Sequence, residues 1–83
     1  MKAHVYVTLK RSVLDAQGQT IAGALRRMQW KGIADVRQGK YFQLTLDDSL
    51  AADPGQAQTE VERIARDVLT NPVIEEFTFR LEP

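Results

Sequence analysis

The chain has 83 residues, enough for one domain spanning 1–83 and for a single small core. Eleven Lys and Arg balance eleven Asp and Glu, and a formal charge of zero argues against a general nucleic-acid or membrane-surface binder. There is no cysteine, so disulfides cannot supplement the core; association with a second copy or another protein becomes the expected source of stability.

Ala3, Val5, Val7 and Leu9 alternate with His4, Tyr6 and Thr8, which predicts a strand buried on one face. The same interleaving leaves no continuous apolar run, so a signal peptide and a membrane span are not expected. A cytoplasmic location is the expectation, consistent with the missing cysteine. The period then changes. Leu14, Gly18, Ile21, Leu25 and Met28 follow one helical stripe, with Asp15 placed as N-cap and Gly32 as terminator. Gly18 within the stripe suggests close approach of the helix to the sheet.

Two short strands are predicted next, Ile33–Gln38 and Tyr41–Asp47, joined as a hairpin through Gln38-Gly39-Lys40. Residues 47–55 read as a loop. Asp53-Pro54 opens a second helix as N-cap and first-turn proline, with Val61, Ile64, Ala65, Val68 and Leu69 as its apolar stripe. Asn71-Pro72 closes it, and Val73–Leu81 alternates as a final strand.

The order is βαββαβ. It predicts an α+β, ferredoxin-like domain, a four-stranded antiparallel sheet with both helices on one face. Right-handed crossovers would put the first and third strands in the centre. The other face stays open, and His4, Tyr6, Thr8, Tyr41, Gln43, Thr45, Ile74, Glu76 and Thr78 should line it. That mixture of aromatic and polar groups suits an interface.

Most chemistry is excluded by missing parts. Cysteine nucleophiles are absent, and His4 is the lone histidine, so a minimal enzyme on this fold is disfavoured. No Walker A or GxGxxG sequence occurs, and no His or carboxylate cluster has metal-ligand spacing. No cofactor or metal is expected on the chain. Arg37 to Phe42 resembles the third strand of an RNA-recognition motif in its basic residue, glycine and aromatics, but the second aromatic spacing is absent.

The pieces Val5-Tyr-Val-Thr-Leu-Lys10, Val13-Leu-Asp-Ala-Gln-Gly18, Val36-Arg-Gln-Gly-Lys40 and Asn71-Pro-Val-Ile-Glu-Glu-Phe77 are shared, in this order, with one family. Together they resemble PurS, the small-subunit family of phosphoribosylformylglycinamidine synthase. Ala16 and Phe77 depart from it, standing where the family usually has proline and often tyrosine. The resemblance implies a role in purine biosynthesis, where formylglycinamide ribonucleotide, glutamine and ATP become formylglycinamidine ribonucleotide. It further implies a non-catalytic subunit that dimerises, with a tetramer also open. Such a subunit bridges the PurL synthetase and the PurQ glutaminase and helps ammonia pass between them. ATP and Mg would belong to PurL. Arg37, Gly39 and Lys40 resemble a family motif and become candidates for partner contact, as do Asn71, Pro72, Ile74 and Glu75. The alternative reading on the same fold is a small-molecule-sensing ACT-like regulatory domain, for which no ligand loop is recognisable.

Overall fold

The computed structural model describes residues 1–83. Strand β1 (Lys2–Leu9) leads to helix α1 (Ala16–Arg27), strand β2 (Gly39–Thr45), a single turn α2 (Asp48–Ala51), helix α3 (Pro54–Ile64) and strand β3 (Glu75–Glu82). The sheet is antiparallel with the order β2-β1-β3. Val5 faces Phe42 on one side and Phe79 on the other, so the apolar residues of all three strands share one face.

Helix α3 lies on that face. Asp53 caps it, accepting from the Gln56 amide, and Pro54 follows at the first helical position. Its buried residues are small: Ala57 and Val61, followed by Ala65, pack against Ala3, Val5, Val7 and Leu46. Small side chains on both surfaces let the helix sit close to the central strand. Phe42, Leu44, Leu69, Phe77, Phe79 and Leu81 ring this core and stay half-buried. The helix ends in a π turn, Ala65–Leu69. Its wider winding keeps Ala65 inside and Leu69 half-buried but leaves Val68 73% exposed, outside the stripe expected to hold it.

Four expectations are corrected. Ile33–Gln38 is not a strand, so the sheet has three strands, β1 alone is central, and the expected third strand is an edge. Residues 33–38 instead run back along α1, where the Asp15 carboxylate accepts from the amides of both Gly18 and Gln38. No hairpin exists there, and Gly39 opens β2 opposite Thr8. Residues 47–55 are not wholly loop, because Asp47 caps the short α2 by accepting from the Leu50 amide.

The fourth correction concerns α1, which does not share the sheet face with α3. It buries only Gly18 and Ala22. Leu14 is 67% exposed, Met28 68% and Trp30 62%. The chain measures 50 × 26 × 14 Å with a radius of gyration of 16.3 Å, against about 12 Å for a compact domain of this length. Helix α1 and the segment after it form an arm that stands off the sheet.

Gly18 is required by the return of that segment. An added Cβ would run into the Val36 carbonyl and the Asp15 carboxylate. Alanine normally favours a helix over glycine by about 1 kcal/mol. Here Gly18→Ala is expected to reverse that sign and lower stability by roughly 1–3 kcal/mol, the cost of overpacking. Urea unfolding of the two proteins checks this; an unchanged or raised midpoint would show that the arm does not close on Gly18.

Candidate functional site

Strand alternation brings His4, Tyr6, Thr8, Tyr41, Gln43 and Thr45 onto one sheet face, together with Lys2, Thr78, Arg80 and Glu82. No helix covers it. Tyr6 and Tyr41 lie directly opposite each other with ring centroids 5.3 Å apart, and the His4 ring stacks on Tyr41 at 5.8 Å. His4 is buried although it stands on the open face, and both of its nitrogens are engaged. Nε2–H donates to Glu82 Oε2 at 2.8 Å, and Nδ1 meets the Tyr41 hydroxyl at 2.5 Å. His4 thus ties the two edge strands across β1. The Glu82 carboxyl lies below its ordinary range, first through the hydrogen bond and charge of His4, then through Arg80 and Lys2. Glu82 was not legible as the partner of His4, since 78 residues separate them and only the β1–β3 register joins them.

At the other end of the sheet, Arg37 and Lys40 are bound inward and do not project from a hairpin tip. Arg37 Nη2 donates to the carbonyls of Leu9 at 3.0 Å and Lys10 at 3.2 Å, bracing the end of β1. Gly39 is held by space as well as by conformation, because an added Cβ would lie 2.5 Å from the Val7 carbonyl oxygen. Lys40 Nζ sits 3.1 Å from Glu75 on the helix-bearing face, spanning β1 from one edge strand to the other.

Asn71, Pro72, Ile74 and Glu75 form a turn that closes on itself. The Asn71 carbonyl accepts from the Ile74 and Glu75 amides, its Oδ1 accepts from Val73, and Glu75 Oε1 accepts from the Asn71 amide at 2.8 Å. The Glu75 carboxyl is accordingly lowered, by the Asn71 amide first and by Lys40 second. Val73, 78% exposed, and Ile74, 39% exposed, present apolar surface beside this turn.

Two shallow clefts flank the end of β1. One is lined by Asp15, Gln17, Gln38, Lys40 and Glu75, and their polar groups largely satisfy one another. The other lies between Arg11, Arg37 and Glu76. No three His, Asp or Glu side chains gather where they could hold a metal ion. No helix is long and apolar enough to cross a membrane. What the surface offers is contact: a stacked aromatic-polar sheet face, the Val73–Ile74 turn, and the apolar arm. The arm was missed as a contact surface, because its stripe is equally consistent with packing on its own sheet.

Comparison with known proteins identifies the family. The family model described as PurS: Phosphoribosylformylglycinamidine (FGAM) synthase matches residues 2–83. The PurS subunit of Mycobacterium leprae is 46% identical over 81 residues, covering 98% of this chain and 95% of that one. The Bacillus subtilis subunit is 38% identical over 98% of this chain and 92% of its own length. Among solved structures, B. subtilis PurS superposes with a TM-score of 0.79 at 36% identity, covering 99% of this chain and 98% of that one. A chain in the structure of PurLQS from Thermotoga maritima also gives 0.79, at 27% identity over 95% and 93% of the two chains.

The Lys40–Glu75 pair generates a test. Lys40→Glu sets two carboxylates side by side and is expected to lower stability by about 1 kcal/mol. The swapped pair, Lys40→Glu with Glu75→Lys, should recover part of the loss. Glu75 has its carboxyl depressed in the fold, so its contribution is present above the unfolded value near 4.5 and fades as pH falls through the folded value. The difference between wild type and Glu75→Gln in thermal melts should therefore shrink below pH 4. A constant difference from pH 7 to 3 would remove the ionised carboxylate from the account.

Proposed function

The chain belongs to the PurS family of FGAM synthase subunits, which act in purine biosynthesis, and we propose that it is the non-catalytic assembly subunit of that enzyme. In this reading it holds a PurL-type synthetase and a PurQ-type glutaminase together in the cytoplasm and supports ammonia transfer between them. ATP and Mg are then handled by the synthetase. The chain itself associates with a second copy.

The single observation that supports this best is the arm. Leu14, Met28 and Trp30, which flank α1, are each more than 60% exposed, and α1 itself buries only Gly18 and Ala22. Fully burying such a side chain is worth about 1.5–3 kcal/mol, so an uncovered arm forfeits several of these increments. A protein built this way gains its missing core by assembly. The ACT-like alternative is less well supported: the clefts found are shallow, open and lined by groups already paired.

The test reconstitutes glutamine-dependent FGAM formation from the synthetase and glutaminase of the same organism, with and without this chain. Activity and co-elution of the two large subunits should both depend on its addition. Met28→Asp, which places a charge on the arm and touches no buried residue, should keep the circular dichroism of the wild type and lose most of the stimulation. Full activity without this chain would sink the proposal.

A further inference from the structure

The arm differs in charge from the rest of the chain. From Ala16 to Ala34 it holds three cations, Arg26, Arg27 and Lys31, and no Asp or Glu. The remaining residues carry eight Lys and Arg against eleven Asp and Glu, so a formal charge of zero hides a positive arm and a negative body. All three cations are exposed, and none takes part in an ion pair within the chain. The C-terminal end of a helix favours cations such as Arg26 and Arg27. That end effect does not account for Lys31, which lies beyond the helix, or for the missing acids.

The backbone at the end of α1 is held in a costly shape. Gln29 has φ 65° and is the one left-handed residue that is not glycine. A side chain disfavours this conformation, and glycine usually occupies it at a helix end. Here the Trp30 amide donates to the Leu25 carbonyl and the Gln29 amide to the Arg26 carbonyl, both at 3.0 Å. The helix is thus closed at Gln29, three residues ahead of Gly32. This closure serves no core: Met28, Trp30 and Ile33 remain 68%, 62% and 49% exposed. Strain that orders an exposed tip and buries nothing points to contact with something outside the chain.

We propose that this tip docks on an acidic surface of a partner protein of the synthase, with Trp30 seated in an apolar recess and Arg26, Arg27 and Lys31 meeting carboxylates around it. Tryptophan and arginine are the residues that most often dominate protein interfaces, and the arginine fork matches a carboxylate. Charge selects the occupant. Two copies meeting tip to tip would gather their cations with no acid between them. A nucleic acid would find only three cations, enough for weak and salt-sensitive binding alone, and would leave Met28 and Ile33 uncovered. This rests on the reading that the chain is an assembly subunit, and it names the patch and the chemistry of the partner surface.

Trp30 is the only tryptophan, so 5-fluorotryptophan supplied to this chain alone gives one fluorine resonance that reports on the tip. Adding the unlabelled synthetase and glutaminase of the same organism, singly and together, should shift and broaden it. Salt at about 0.5 M should reverse the change, because it screens exposed charges. In calorimetric titrations Trp30→Ala should weaken binding roughly thirtyfold, the loss typical of an interface hot spot. Arg27→Glu with Lys31→Glu should weaken it about tenfold or more, with the circular dichroism of the wild type. Arg63→Glu with Arg66→Glu, the same change of charge at the end of α3, should leave affinity within about twofold.

If the complex assembles but the resonance stays in place and the tip variants bind like wild type, the tip is not the contact and the assembly reading stands. An equal loss from the α3 variant would show that net charge is sensed, and a shift that survives salt would remove the acidic surface; either overturns the proposal. So would a resonance that moves with the chain's own concentration, with single-stranded RNA or with anionic vesicles, but not with the partner subunits. No complex at all would overturn the assembly reading and this contact together.

Discussion

The packing of α3 on β1 is the contact on which the rest of the molecule depends. Ala3, Val5 and Val7 meet Ala57, Val61 and Ala65, and no fully buried side chain is larger than valine. Close approach of a small-residue helix to a small-residue strand makes a core that is tight but thin. Only twelve of 83 residues are buried, too few to stabilise a long single-copy structure comfortably. Each uncovered surface follows from this economy, because one helix cannot cover three strands and nothing is left to cover the arm.

The arm itself is held by polar contacts. Asp15 caps α1 and at the same time grips Gln38, so one carboxylate sets both the start of the helix and the return of the chain to β2. Its carboxyl is lowered by the Gly18 amide, then the Gln38 amide, then the charge of Arg37. Arg37 in turn braces the end of β1. The Val36–Lys40 segment thus aims the arm and starts the edge strand. Its charges serve the chain internally. The apolar side chains of the arm, Leu14, Met28 and Trp30, stay exposed.

Local signals in the sequence carried much of this fold. The alternation of β1 and the Asp53-Pro54 start of α3 were readable because each depends on neighbouring residues alone. Residues 33–38 were misread for a non-local reason. Their short apolar run suits a strand, yet Asp15 captures the Gln38 amide and holds the segment along α1, away from the free edge of β2. The stripe of α1 was visible as a stripe, but periodicity shows that a face is apolar and not what covers it. Val68 was misplaced because a π turn leaves no mark in hydrophobic spacing. At the site, the open-face residues followed from strand parity alone. The inward ties of Arg37, Lys40 and His4 needed the register of three strands.

The central claim is that this fold is incomplete as one copy and is stabilised by association. Thermal unfolding followed at protein concentrations from about 1 to 100 μM tests it directly, because association-linked stability rises with concentration. The midpoint should climb steadily across that range, with a species larger than 9.4 kDa present before the transition. A midpoint independent of concentration, measured on a 9.4 kDa species, would contradict it.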